Sequence, residues 1–272
     1  MVSALINRPA MGNFPTQNWH EILTQGILAV APKGLNQVFT GMSGSDANET
    51  AYKAAFMYYQ RRARARAANA TSSAVVEPSQ EETESCMNNQ APGSPNLSIL
   101  SFKKGFHGRL FATLSTTRSK PIHKLDIPAF DWPQSSFPSL RYPLEDHIQT
   151  NLAEEQRCLE ELEKTIVEWK SRSPVAAVVI EPIQSEGGDN HATPFFFKGV
   201  REITKKHEVL LIVDEVQTGV GATGRFWAHE HWELETPPDM VTFSKKAQTA
   251  GYYYGDKLLR PDKPYRQFNT YV

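Results

Sequence analysis

The stretch Leu210-Leu211-Ile212-Val213-Asp214-Glu215-Val216-Gln217-Thr218-Gly219 decides the fold. Four apolar residues, two of them β-branched, run into a carboxylate pair. Unbroken apolarity over so short a run predicts a strand buried on both faces, as in a parallel sheet. Ligands of open α/β sheets sit at the carboxyl ends of the strands. Asp214 is therefore the first candidate site residue. Upstream, residues 176–180 predict another buried strand, ending in Glu181-Pro182-Ile183-Gln184-Ser185-Glu186-Gly187-Gly188. Thr193-Pro194 opens a helix predicted to reach His207, and residues 209–214 form the strand after it. Strand, helix, strand is a βαβ unit, so the fold class is α/β with a mostly parallel, right-handedly wound sheet flanked by helices.

Downstream, an apolar segment ends in Thr242-Phe243-Ser244-Lys245-Lys246. A carboxylate that can hold a cation and an amine that can bond to an aldehyde are what pyridoxal phosphate (PLP) asks of a protein. A third feature lies near the start. Residues 37–40 predict a short strand leading into Gly41-Met42-Ser43-Gly44-Ser45-Asp46-Ala47-Asn48-Glu49. This Gly/Ser turn opens a helix with Ala51, Ala54, Ala55, Tyr58 and Tyr59 on its inner side. Free N–H groups and hydroxyls at a helix N-terminus make an anion cradle. A plain helix start with Ser45 or Asp46 as N-cap uses the same residues.

Residues 18–30 carry apolar side chains at helical spacing, stopped by Pro32 and Gly34. After Arg61 the pattern breaks into arginines, then small, acidic and Pro/Gly residues. This predicts a solvated helix end followed by a mobile insertion at about 66–96. Residues 97–102 predict a strand, followed by Phe106-His107-Gly108-Arg109. Such a loop can stack on a flat ring and hold a carboxylate bidentately; the plainer reading is a loop arginine capping a helix end. Residues 121–143 read as an extended covering loop. Residues 144–170 predict a strong amphipathic helix with Ile148, Leu152, Leu159, Leu162, Ile166 and Trp169 on one face.

Composition narrows the function. A net charge of -1 offers no basic field for nucleic acid. Cys86 and Cys158 have no metal-type spacing and imply no disulfide framework. No apolar run approaches the roughly 20 residues of a membrane span. Gly219-Val220-Gly221-Ala222-Thr223-Gly224 matches G-x-G-x-x-G but runs into an aromatic loop, not the long helix a dinucleotide site requires. Residues 210–215 resemble the acidic strand of a P-loop ATPase, yet the sequence holds no G-x-x-x-x-G-K-[ST]. His229 and His231 read as packing and surface residues, so no metal is expected.

In order along the chain stand Ser43 to Glu49, Asn89-Gln90-Ala91-Pro92-Gly93, Phe106 to Arg109, Asp126-Ile127-Pro128 with Phe130-Asp131-Trp132-Pro133, Glu181 to Asn190, Val213 to Gly219, Phe226 to Trp232, and Ser244-Lys245-Lys246. This set resembles the class III PLP-dependent aminotransferases, and within them it looks most like the 4-aminobutyrate aminotransferases. The resemblance covers almost the whole chain. It implies the large domain of a fold type I PLP-dependent transferase over 36–272, after an N-terminal helical segment at 1–35. Both flanks of the family chain, including its C-terminal small domain, are expected to be missing.

Carried over residue by residue, the resemblance implies that Lys246 bears the cofactor, placed by its spacing to Thr249 and Gly251. Asp214 would pair with the pyridine nitrogen, and Gln217 would contact the ring hydroxyl side. Gly44 and Ser45 would hold the phosphate, with Phe106 and His107 against the ring. Arg109 would bind the carboxylate of 4-aminobutyrate. Glu186 would pair with an arginine of the C-terminal part and swing when 2-oxoglutarate replaces the first substrate. Thr270 would reach the phosphate of a partner subunit, which implies a homodimer. Ser43 and Asp46 stand where animal members have cysteines that hold an iron–sulfur cluster, so no cluster is expected. Ala250 replaces a usual glycine. Transfer of an amino group from another ω-amino acid, of β-alanine or ornithine type, is the alternative activity. A truncated, inactive binding module is the alternative from another class. The family occurs in the mitochondrial matrix and in the cytoplasm, and the segment that would decide is expected to be missing.

Overall fold

A computed structural model of the chain describes residues 17–71 and 74–258. Seven strands form its sheet: β1 (Gln37–Gly41), β2 (Ser98–Phe102), β3 (Gln134–Ser135), β4 (Val175–Ile180), β5 (Leu210–Asp214), β6 (Met240–Phe243) and β7 (Ala250–Tyr254). Their spatial order is β1-β7-β6-β5-β4-β2-β3. From β6 through β3 all neighbours are parallel, as the βαβ pattern predicts, whereas β7 runs antiparallel to both β6 and β1.

The helices are α1 (Gly44–Ala67), α2 (Gln80–Met87), α3 (Phe111–Thr116), α4 (Ile148–Trp169) and α5 (Pro194–Lys206). They cover both faces of the sheet, and the alternation of strand side chains shows how. Leu211 and Val213 of β5 join Val178 and Ile180 in the cluster that takes Leu162 and Ile166 of α4 and Phe196, Phe197 and Val200 of α5. Ile212, Ala177 and Val179 point the other way, into the cluster that takes Ala51, Tyr52, Ala54 and Ala55 of α1. Small alanines let α1 lie close to the sheet. Phe196 is fully buried, and truncating such a ring to alanine costs about 3–5 kcal/mol.

Three elements differ from the sequence reading. Residues 18–30 are not one α-helix: Trp19–Glu21 continues as a π turn at Ile22–Ile27 and a 3₁₀ turn at Leu28–Val30. Two of its carbonyls are drawn off axis, that of Ile27 by the Tyr253 hydroxyl and that of Val30 by the Trp227 indole, both at 2.7 Å. The apolar face of α4 is buried only along its later turns, while Ile148 and Leu152 are exposed. Asn151 and Glu155 are buried there instead. Asn151 exchanges bonds with the Arg141 backbone, and Glu155 accepts from the N–H and hydroxyl of Thr193 ahead of α5. Finally, the stretch read as an insertion contains α2, capped by Ser79 and Glu82 in a reciprocal box and tied to α1 by Arg64–Glu82 at 2.9 Å. The Ser-x-x-Glu spacing was a readable helix signal. Among the described residues no helix is long and apolar enough to cross a membrane.

Candidate active site

The carboxyl ends of β2, β4, β5 and β6 and the start of α1 meet around a cavity of about 590 Å³, the usual size for a small-molecule site. β5 delivers Asp214 to its floor, where the side chain is buried. Oδ2 of Asp214 accepts Nδ2 of Asn48 at 2.8 Å and faces Nδ1 of His107 at 2.9 Å. Oδ1 accepts the Val216 N–H at 3.1 Å and the Thr242 hydroxyl at 3.4 Å. Four donors thus hold one carboxylate, which keeps a buried charge hydrogen-bonded and fixes its direction.

The loop after β2 supplies the wall. His107 is fixed by its N–H to the Thr117 hydroxyl at 3.0 Å. Gly108 has φ +126°, and a Cβ there would lie 2.5 Å from Oγ of Ser45. Only glycine lets this loop lie so close to α1. Arg109 then donates its backbone N–H to Oγ of Ser45 at 3.2 Å.

At the α1 start the N-cap is Ser43, not Ser45 or Asp46: Oγ of Ser43 accepts the Asp46 N–H at 3.2 Å. The Asp46 carboxylate turns back to accept from Met42 at 2.8 Å. This leaves Gly44 and Ser45 on the cavity wall, in the first turn, where helix N–H groups have no intrahelical partner.

Arg109, Phe106 and Glu186 also line the cavity. The Arg109 guanidinium lies over the Phe106 ring at 5.1 Å, and among the described residues no carboxylate pairs with it. Glu186 accepts Nζ of Lys120 at 2.7 Å and faces Nε2 of His123 at 3.3 Å. These donors hold its carboxyl below the usual carboxylate range, chiefly through the bond from Lys120 and then through that from His123.

Glu181, just past β4, lines the cavity and accepts the Phe106 N–H at 2.8 Å. Burial, reinforced by nearby Asp214, pushes its carboxyl well above the usual range.

β6 ends at Phe243, and the exposed pair Lys245 and Lys246 follows in a 3₁₀ turn. Lys245, at a left-handed φ of +48°, lines the cavity beside Gln217, to which its ammonium donates. Lys246 is the next residue of that turn, and Gln248 is left-handed as well, at φ +55°. Thr270 lies outside the described residues.

His229 and His231 do not converge. His229 is buried against Glu215 at 2.9 Å, while His231 bonds to the Thr223 carbonyl at 3.0 Å. Gly219 to Gly224 lies in turns and is followed by a short 3₁₀ helix, Ala228–Trp232, and not by a long α-helix.

Sequence comparison places residues 1–272 within the family described as aminotransferase class-III. The chain belongs to that family. A 4-aminobutyrate aminotransferase of Emericella nidulans is 70% identical over 272 residues, covering 100% of this chain and 53% of the relative. The mitochondrial 4-aminobutyrate aminotransferase of Sus scrofa is 52% identical, covering 100% and 52%. This class III chain thus spans about half the length of the curated relatives it matches. Among solved structures, the lysine aminotransferase from M. tuberculosis in the internal aldimine form superposes with a TM-score of 0.78. It is 28% identical, with 100% of this chain and 56% of that one covered.

The structure brings Gly44, Ser45, Phe106, His107, Arg109, Glu186, Asp214 and Gln217 to one cavity, as expected of a class III chain. It adds Asn48, Glu181, Ser244 and Lys245, which residue-by-residue reading did not assign. Asn48 had a signal: it lies on the same inner helical face as Ala51, Tyr52 and Ala55. Lys120 and His123 had none, since they fall in or beside a stretch without periodicity.

Proposed function

We propose that the protein moves the amino group of 4-aminobutyrate to 2-oxoglutarate with PLP, giving succinate semialdehyde and glutamate. The observation that carries this reading is a guanidinium with no carboxylate partner among the described residues, Arg109, in the same cavity as a fixed carboxylate, Asp214, with Lys245 of the lysine pair on its wall. The residues fit the cofactor. Oδ1 of Asn48 is buried without a partner among the described residues, beside Asp214, so the cavity floor is short of a donor that a bound ring can bring. Gly44, Ser45 and the start of α1 suit a phosphate.

PLP, when bound, supplies the electron sink for this chemistry. The chain's residues do the rest. Asp214 keeps a proton on a pyridine nitrogen; a charge pair at about 4 Å in a partly exposed site is worth roughly 4 kcal/mol. Phe106 and His107 flank a flat ring, and Gln217 meets its hydroxyl side. Nζ of Lys246, the lysine the family resemblance assigns, would hold the cofactor and would move the proton at the amine-bearing carbon, with Lys245 beside it bound to Gln217. Arg109 clamps the far carboxylate through two parallel N–H donors, which places that carbon. Glu186 responds to the second carboxylate of 2-oxoglutarate. The curated relatives carry the 4-aminobutyrate name, which favours that substrate over β-alanine or ornithine. The family resemblance favours a homodimer. The mitochondrial name of the Sus scrofa relative makes the matrix one candidate compartment and the cytoplasm the other.

The test is to load the protein with PLP, desalt, reduce with borohydride and map the labelled peptide. Label is expected on Lys246, lost in Lys246→Ala and kept in Lys245→Ala. Arg109→Lys should then raise KM for 4-aminobutyrate far more than it weakens PLP retention, because a point charge replaces a fork. Label on Lys245, or none on either lysine, would sink this assignment.

A further inference from the structure

The carboxylate-binding end of the cavity contains a bridge that the reaction above does not use. Nη2 of Arg109 lies 3.4 Å from Nδ1 of His123. Nε2 of the same ring lies 3.3 Å from Oε1 of Glu186, and that oxygen also accepts Nζ of Lys120 at 2.7 Å. A guanidinium can only donate, so Nδ1 of His123 must be the acceptor. The single ring proton of a neutral imidazole then sits on Nε2, aimed at the glutamate. An imidazolium would set N–H against N–H at the arginine. The ring is held in this direction by packing: it stands edge-on to Phe106 with centroids 5.3 Å apart, and its side chain is only 11% exposed.

This bridge separates two groups of opposite charge. If Glu186 closed on Arg109, the arginine would be neutralised from within. Instead Glu186 is satisfied by Lys120 and by the ring, and Arg109 is steered by an uncharged acceptor. Its full charge stays available to a ligand. We propose that His123 is a positioning residue for carboxylate recognition, a neutral spacer that orients Arg109 toward the cavity while keeping Glu186 off it. The ligands it favours are small aliphatic acids that bring a terminal carboxylate. The inference rests on the cavity being the aminotransferase site proposed above.

Two variants and one spectrum test it. His123→Phe keeps the ring edge against Phe106 and removes both nitrogens. His123→Gln keeps an amide to face Glu186. Binding of glutarate, a dicarboxylate with neither amine nor ketone, is measured by calorimetry on the PLP-loaded protein. KM and kcat for 4-aminobutyrate are measured alongside. In His123→Phe, Kd for glutarate and KM should rise roughly tenfold or more, the scale of one lost hydrogen bond to a charged group. The kcat value and PLP retention should stay near wild type, and His123→Gln should fall between. Ring ¹⁵N–¹H spectra of the wild type should show His123 neutral with its proton on Nε2. Unchanged Kd and KM in either folded variant, or a proton on Nδ1, would overturn the proposal. Wild-type protein that retains no PLP refutes the functional reading instead, and the ring spectrum still decides the position of the proton. Wild type that binds glutarate no better than its variants refutes only the role of His123.

Discussion

Gly108→Ala is the sharpest perturbation the site offers. The residue has φ +126°, and an added Cβ would lie 2.5, 2.8 and 2.9 Å from Oγ, Cβ and Cα of Ser45. The nearest of these atoms belong to the first turn of α1, which the sheet holds in place, so the loop must move instead. Strain at such a φ costs about 1–3 kcal/mol. Overpacking a tight contact adds about 1–3 kcal/mol. Losing the Arg109 N–H bond to Ser45 adds about 1 kcal/mol. The total is about 3–7 kcal/mol. A chain of 272 residues unfolds with an entropy near 0.6 kcal/mol per kelvin, so Tm should fall by roughly 5–12 °C. Gly221→Ala is the control. It too has positive φ, +80°, but nothing lies within 4 Å of its added Cβ. Only strain remains there, worth roughly 2–5 °C. Scanning calorimetry measures both, and PLP retention after desalting should fail only in Gly108→Ala. Equal losses in the two variants, or a Gly108→Ala melt within about a degree of wild type, would refute the argument that loop and helix touch here.

Two further predictions concern titration and thiols. The Glu181 carboxyl is raised by burial and then by Asp214, so the folded state holds that proton more tightly than the unfolded one. Its contribution to stability is complete below the ordinary carboxylate range, near about 4.3, and is lost as pH rises toward the raised folded value. Glu181→Gln should therefore stabilise the cofactor-free protein at pH 8 and change little at pH 4; urea melts showing the same difference at both pH values would count against it. Cys86 is exposed, while Cys158 is buried and its thiol is pushed up to about 12 by burial and neighbouring Glu154. An aromatic disulfide reagent at pH 8 should find one fast thiol in the native protein and two after denaturation. Two fast thiols in the native state would contradict the packing of α4.

What could be read from sequence is what apolar patterning controls. β4 and β5 are continuous apolar runs, buried throughout, and a strand that ends in Asp214 places that carboxylate with no further information. The same logic placed the Gly44–Ser45 turn and the Phe106–Arg109 loop, because each follows a strand on the same edge. Legibility failed where direction depends on irregular backbone or distant partners. The lysine pair follows β6 in a 3₁₀ turn with Lys245 left-handed, a geometry that no local pattern announces. Lys120 and His123 meet Glu186 across more than sixty positions of chain, and nothing local marks them. β7 opens with Ala250 and Gly251, residue types that carry no strand signal. Its following tyrosines pack on both faces, Tyr253 with the α4 and α5 side and Tyr252 with the α1 side.

The pairing of β1 with β7 also sets an order in time. Gln37 meets Tyr254 and Gly41 meets Ala250, so the first strand among the described residues has no β7 edge to join until the segment between them has been synthesised. Closing so long a loop is slow, and such non-local pairing comes late in folding. α1 follows directly on β1, and with it come Gly44, Ser45 and Asn48. On the ribosome, the parallel strands β2, β4, β5 and β6 can associate while β1 still waits. The cavity therefore acquires its anion-holding wall last, and a cofactor that engages this wall binds only the finished sheet, drawing late folding forward by mass action.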